Sequence, residues 1–306
     1  MCFEQPALIC LRCGQAIKLQ PSGPWVDRNL ICDACGWRPD RQDGFALLAP
    51  ELAALGSDYD PAGFARLSAA EPWHFWFAPR ARLLGQLIQR HFPVAKAFLE
   101  VGCGTGYVTG VVAGLRSWER LMGAEVSADG LAHAARLLPR HVELVQMDAR
   151  ALPFRGAFDV IGCFDVLEHI TEDREVLAGF ARGLKPGGGV VLSVPQHMWL
   201  WSNADVQAQH KRRYARGELE EKCRAAGLEV VSSVSFASLT LPIMMASRII
   251  PRRGMVSDGG TDEMRPPAWI NASLRFLLQC EVTLSLGDVR WPLGGSRVVT
   301  ARKPPG

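Results

Sequence analysis

Glu100-Val101-Gly102-Cys103-Gly104-Thr105-Gly106 is the stretch that decides the fold. It ends a short apolar run over 97–101 and opens an apolar helical pattern from 107 to about 115. A buried strand that turns through glycines into a helix is the opening unit of a βα layer. Glycine at 102, 104 and 106 removes Cβ where backbone would approach a ligand lying across the strand end. A dinucleotide fingerprint puts its third glycine three residues after the second. Here that position is Tyr107, and the third glycine comes one place early, at Gly106. Glu100 sets a carboxylate beside the loop, which would repel a pyrophosphate and favour an ammonium or sulfonium.

The βα rhythm continues outward from this loop. Strands are predicted over 121–126, 142–147, 158–164 and 190–194, with helices over 131–138 and 172–184 between them. The helix before Lys185-Pro186-Gly187-Gly188-Gly189 is expected to stop there, because proline cannot continue it and glycine tolerates a left-handed cap. Further strands are expected over 228–234 and 296–301, and helices over 80–91, 216–226 and 270–286. The strand runs are apolar without alternation, as in strands covered on both faces. The expected fold is α/β: a doubly wound, mostly parallel, seven-stranded sheet with ligands at the carboxyl ends of the strands. Glu125 ends the second strand and is placed to accept from two ribose hydroxyls. Asp148 follows the third and can accept from an exocyclic adenine amine. With Glu100, these acids describe a cationic nucleoside without phosphate.

The motifs EVGCGTG at 100–106, the acid Glu125, Met147-Asp148-Ala149, Phe158-Asp159-Val160-Ile161 and Leu184-Lys185-Pro186-Gly187-Gly188 resemble the class I S-adenosylmethionine-dependent methyltransferases, a Rossmann-like family. The resemblance covers roughly residues 74–237. It implies that Gly102, Gly104 and Gly106 line the methionine and ribose portion of S-adenosyl-L-methionine, with Glu100 beside the amino group. Glu125 would hold the ribose, and Asp148 with Ala149 the adenine. Phe164 and Asp165 would sit beside the transferred methyl. The aromatic segment Glu71 to Arg80 is either a cap over the core or a lid, in which His74 and Arg80 point at a cofactor carboxylate or an acceptor.

Before this core, Cys10-x2-Cys13 and Cys32-x2-Cys35 are spaced as two knuckles of a four-cysteine zinc ribbon. Gly14 and Gly36 follow the second cysteine of each pair, where the turn needs freedom from a Cβ clash. Four thiolates would fill the coordination sphere, so the metal is read as structural. The domains are expected to be 1–56, ribbon and linker, and 57–306, with an insertion at about 238–290. The insertion is read as a lid, a dimer contact, a membrane-surface element or ordinary packing.

The chain has 306 residues and a net charge of 34 − 31 = +3, too small for a strongly basic nucleic-acid surface. No apolar run reaches the ~18 residues of a membrane-spanning helix. MCFEQPALIC lacks the charged region of a secretory signal. Nine cysteines, an odd number, argue against a disulfide framework and for a reducing cytoplasm.

Methyl transfer from a sulfonium is an in-line displacement, so alignment dominates, and a base helps where the acceptor is a hydroxyl. His169 follows the fourth strand and His197 the fifth. His210-Lys211-Arg212-Arg213-Tyr214 resembles a stretch of the methyltransferases of ubiquinone biosynthesis and related pathways. His169, His210 and Tyr214 are the catalytic candidates, with Arg212 or Arg213 on an anionic group. The Asn-Pro-Pro-Tyr stretch of many amine methyltransferases is replaced by Cys163-Phe164-Asp165-Val166, against DNA adenine methylation. The expected acceptor is a small molecule, lipid- or glycan-linked. The alternatives are RNA, since some ribosomal-RNA guanine methyltransferases carry a similar ribbon, and a cofactor-binding module without turnover. Against RNA, Arg12, Lys18, Arg28, Arg38 and Arg41 are balanced by Glu4, Asp27, Asp33, Asp40 and Asp43.

Overall fold

Along each central strand, successive side chains leave on opposite faces, and two apolar layers divide them. Phe98, Leu121, Val160, Val191 and Val298 belong to one layer. Leu99, Met122, Ile161, Val190, Leu192 and Val299 belong to the other. The computed structural model describes residues 6–20, 23–27, 29–53, 61–249 and 266–306. Glu4, Arg28, the expected boundary near 56 and the Pro/Gly/Arg-rich turn of the insertion lie outside the described residues.

The chain opens with β1 (Ala7–Ile9), β2 (Ala16–Lys18), β3 (Asp40–Gln42) and β4 (Phe45–Leu47), then the helices α1 (Pro50–Ala53), α2 (Pro61–Ala70) and α3 (Phe77–His91). The alternating core follows: β5 (Ala97–Val101), α4 (Tyr107–Ala113), β6 (Arg120–Glu125), α5 (Ala128–Leu137), β7 (Glu143–Gln146), β8 (Phe154–Arg155), β9 (Phe158–Phe164), α6 (Asp173–Gly183) and β10 (Leu184–Pro195). Then come α7 (Asn203–Gln207), α8 (Glu218–Ala225), β11 (Glu229–Phe236), α9 (Leu241–Ile249), α10 (Ala268–Leu286) and β12 (Ser296–Arg302).

The main sheet has nine strands, in the order β11-β12-β10-β9-β5-β6-β7-β4-β3, where seven were expected. The seven are present, and the extra pair comes from the segment read as ribbon and linker. Ala46 and Leu47 pair in parallel with Val145 and Gln146. The pairings of the central strands are parallel, while β12 runs antiparallel between β10 and β11. A second sheet joins β1 to β2 and to β8, so the ribbon is stitched to the core backbone.

The glycine run 187–189 lies within β10 rather than in a loop. Gly189 makes this possible, since a Cβ there would come within 2.2 Å of the Ala301 carbonyl oxygen. The helices α3, α4, α5 and α10 supply buried residues to the layer holding Phe98. The helices α6 and α8 cover the opposite face, together with Leu8, Leu19, Trp25 and Leu30 of the ribbon. Trp25 packs on Phe158 at 5.4 Å and lies under the Arg120 guanidinium at 4.5 Å. Its backbone N–H donates to Glu143 at 2.7 Å. Residues 120, 143 and 158 all begin strands, so Trp25 docks at the rim opposite the carboxyl ends.

Candidate active site

The glycine loop leaves β5 with Gly102, Gly104 and Gly106 at φ of 76°, 51° and 82°. Only glycine takes these values without strain, but the three differ in surroundings. A Cβ at Gly102 would meet Val166 Cγ2 at 2.3 Å, and one at Gly106 would meet Leu138 Cδ1 at 2.8 Å. At Gly104 nothing lies within 4 Å. All three were expected to line a ligand, and their Cβ positions face different surroundings. Two of them let protein pack against protein, and Gly104 alone faces open space.

Carboxylates stand at the loop and at the neighbouring strand ends. Glu125 Oε2 accepts from the Gly104 N–H at 2.9 Å, and Oε1 accepts from Val126 and Ser127 at 2.9 and 3.2 Å. Burial raises its pKa against these three donors. Glu100 is buried and accepts from Thr109 Oγ1 at 2.6 Å, and burial pushes its carboxyl up to about 8. Glu71, from the segment before α3, accepts from Thr105 Oγ1 on both oxygens at 2.8 and 2.7 Å. Burial pushes it up to about 7. Asp148 caps the turn that follows, accepting from the Arg150 N–H at 2.9 Å and pairing with its guanidinium at 2.8 Å. Ala149 beside it is buried.

One buried cation answers these acids. Arg80 of α3 lies 2.7 Å from Asp165 Oδ2 and donates to Ser193 Oγ at 3.0 Å. Its Nε has no hydrogen-bond partner among the described residues although it is buried. Asp165 takes φ of 58° at the end of β9 and also accepts from Ser193 Oγ at 2.9 Å. Arg80 was read from the sequence, whereas Glu71 and Ser193 were not.

The rest of the aromatic segment is a cap. His74 is buried with its ring 4.4 Å from that of Phe75, and burial pushes it down to about 4. Asn271 of α10 ties the segment down, accepting from the Phe75 N–H at 2.8 Å and donating to the Trp73 carbonyl at 2.9 Å. Phe164, expected beside the transferred methyl, packs into the core. It is 6% exposed, and its ring sits beneath Gly162 in the same apolar layer as Phe98. Strand alternation turns it inward, and Asp165 rather than Phe164 reaches the strand end.

The acceptor candidates separate. Tyr214 is fully buried and donates to Asp173 Oδ2 at 2.7 Å, so no acceptor can reach its hydroxyl. Burial and the Asp173 carboxylate push its pKa up. This corrects its reading as a catalytic group: Asp173 also pairs with Lys222 at 2.5 Å and Arg212 at 3.2 Å, forming a closed structural network. Arg213 Nε donates to Asp205 at 2.7 Å, so both arginines are paired with aspartates. His197 takes φ of 64° and stacks on Trp199 at 5.1 Å. His169 and His210 do come together, ring edge to face at 4.9 Å. Their nitrogens and a Glu168 oxygen all lie within 4.8 Å of one another.

In the ribbon, Cys10, Cys13, Cys32 and Cys35 form a second such cluster. The Cys10–Cys35 and Cys13–Cys32 Sγ separations are 3.7 and 3.6 Å. Tetrahedral zinc with bonds of about 2.3 Å requires roughly 3.8 Å. Both knuckles close alike: Gly14 N–H donates to the Cys10 carbonyl at 2.9 Å, and Gly36 N–H to that of Cys32 at 2.8 Å. The donor set therefore fits a structural zinc ion.

Sheet order, parallel core and glycine loop define a Rossmann-like methyltransferase fold. Residues 99–192 match a family described as a methyltransferase domain. The chain is similar to a ubiquinone biosynthesis O-methyltransferase of Thiobacillus denitrificans, 32% identical over 157 residues, 45% of this chain and 64% of that protein. The Cronobacter sakazakii enzyme of the same name is 36% identical over 125 residues, 39% of this chain and 50% of its own. The chain thus spans less than two thirds of either relative. Among solved structures, phosphoethanolamine N-methyltransferase 2 of Haemonchus contortus, in complex with S-adenosyl-L-methionine, aligns with a TM-score of 0.51 and 18% identity. The alignment covers 81% of this chain and 58% of that one, a likeness of fold.

Proposed function

We propose that this chain transfers the methyl group of S-adenosyl-L-methionine to a small-molecule acceptor, lipid- or glycan-linked, in the open crevice beside Gly104. The observation that carries the reading is the buried Arg80 guanidinium, set among Glu71, Glu100 and Asp165 with its Nε unpartnered. An amino acid attached to a sulfonium needs one cation for its carboxylate and acids for its two positive charges. Arg80 would meet the carboxylate, and Glu71 or Glu100 the ammonium. Glu125 would hold the ribose from the loop it already braces, and Asp148 with Ala149 the adenine. Relatives named for O-methylation in ubiquinone biosynthesis support an oxygen acceptor.

Residues 1–56 are proposed as a ribbon and linker that serve the core as a zinc-held brace, with zinc at the four cysteines. An RNA acceptor draws no support from the ribbon: Arg12, Lys18, Arg28, Arg38 and Arg41 are matched in number by its acidic residues, and Arg41 is held on the Gly44 and Val26 carbonyls at 2.9 Å each. No helix among the described residues is long and apolar enough to cross a membrane. The odd number of cysteines suits a reducing, cytoplasmic setting.

Isothermal titration with S-adenosyl-L-methionine tests the site. Glu125→Ala should weaken binding at least about tenfold, some 1.4 kcal/mol. Unchanged affinity would overturn the assignment. Mass spectrometry of extracts treated with labelled cofactor then identifies what gains the methyl. Label found in RNA alone would refute the small-molecule reading.

A further inference from the structure

We propose that Glu168, His169 and His210 form a divalent transition-metal site at the acceptor side of the crevice. Glu168 and His169 lie on the single 3-10 turn Leu167–His169, which follows β9. That turn stands at the carboxyl edge of the sheet, with Glu168 three residues beyond Asp165. His210 arrives from the loop after α7, and the approach is built rather than incidental. Gln209 takes a left-handed φ of 56°, and the His210 N–H donates to the Asp205 carbonyl at 2.9 Å. His210 Nδ1 lies 2.9 Å from Asp205 Oδ1. Asp205 is itself buried and held by Arg213. A carboxylate only accepts, so Nδ1 carries the proton and Nε2 presents its lone pair to the cluster. Orientation of a ligating imidazole by a carboxylate on its other nitrogen is a recurrent feature of metal sites.

The second observation concerns Glu168. Its side chain is wholly buried, and neither carboxylate oxygen has a hydrogen-bond partner among the described residues. His210 Nε2 stands 3.9 Å from Oε1, beyond hydrogen-bond reach. An unpartnered buried carboxylate is costly, and a cation at the point where both imidazoles converge would satisfy it. Ligands about 2.1 Å from one ion sit roughly 3.4 Å apart at the tetrahedral angle, so the cluster closes by shifts on the order of 1 Å. Two imidazoles with one carboxylate suit zinc, manganese, iron or cobalt better than magnesium or calcium. Three protein ligands leave positions open. His169 and His210 are only partly buried, which leaves a route from solvent.

The existence of the site does not depend on the proposed function, but its role does. An acceptor hydroxyl bound to the ion would lose its proton to solvent more readily. The oxygen lone pair then forms the new O–CH3 bond as the C–S bond breaks. Its electron pair stays on sulfur, leaving a neutral thioether.

The test uses the full chain with its cysteine site saturated with zinc. Mn2+ is titrated and followed by electron paramagnetic resonance, and Zn2+ is added in competition. One equivalent of Mn2+ should bind, displaceable by Zn2+. Glu168→Gln and His210→Ala should each weaken it at least tenfold, with thermal melting as the check that they fold. His169→Gln serves if either does not. Absence of an ion bound beyond the cysteine site, or binding that these variants leave unchanged, overturns the proposal. Calorimetry with S-adenosyl-L-methionine on the same samples separates the two readings. Cofactor binding without metal binding sinks only the metal site, and the converse sinks only the cofactor site.

Discussion

Alanine at Gly102 and alanine at Gly104 should affect different properties, because the two Cβ positions face different surroundings. At Gly102 the left-handed backbone costs a non-glycine residue about 1–2 kcal/mol. The new methyl would stand 2.3 Å from Val166 Cγ2, and moving that side chain adds about 1–3 kcal/mol. With unfolding entropy of about 2.1 cal/mol/K per residue, 1 kcal/mol shifts the melting temperature of a 306-residue chain by roughly 1.6 °C. The total for Gly102→Ala is then about 3–8 °C. Gly104→Ala carries only the backbone cost, about 2–3 °C, since nothing lies within 4 Å of its Cβ position. Its methyl instead enters the open space where the cofactor is proposed to lie and should weaken S-adenosyl-L-methionine binding by about tenfold or more. Differential scanning calorimetry measures the first quantity and isothermal titration the second. Parent-like binding by Gly104→Ala, or a Gly102→Ala melting temperature no lower than that of Gly104→Ala, would refute this difference between the two positions.

Three further outcomes are expected. Metal analysis should show one equivalent of zinc lost from Cys32→Ser, with a lower melting temperature; full zinc retention would refute the four-cysteine site. Glu71 and Glu100 are raised to about 7 and about 8 from 4.5. The folded chain thus keeps protons that the unfolded chain releases, and their contribution to stability falls as pH rises from about 4.5 to 8. A cationic ligand should expel those protons near pH 7. Calorimetry in buffers of different ionisation enthalpy would count them, and proton uptake would contradict the arrangement. Tyr214→Phe removes a buried donor to a carboxylate, so stability should drop by about 1.5–3 kcal/mol with cofactor affinity unchanged; denaturant melts showing no loss would reinstate Tyr214 as a site candidate.

The central strands were legible because burial on both faces leaves apolar runs, and glycine or an acid punctuates their ends. Residues 97–101 and 158–164 come out with the predicted bounds. The hairpin β3–β4 was not legible: Asp40, Arg41 and Gln42 are polar and exposed, and its three-residue strands are too short for periodicity. Of the candidate site, residues adjoining the glycine loop could be read from their spacing. Glu71, Ser193 and Asp205 could not, since their significance arises from partners 34, 28 and 5 residues away that only folding brings near. A signal did exist for Asp205, which forms a capping box with Ser202 at the start of α7. Tyr214 misled because a tyrosine beside basic residues reads as exposed chemistry, whereas here the charges neutralise buried aspartates.

The strand β4 lies along β7, which without it would end the sheet. A bare strand edge offers its N–H and C=O groups to any passing chain and invites association. In this molecule the amino-terminal segment occupies those groups and hands the border to β3, three residues long and flanked by charge. Withdrawing metal from the cysteines would therefore threaten solubility as well as local order, because the segment that shields the edge is anchored a few residues beyond the second knuckle.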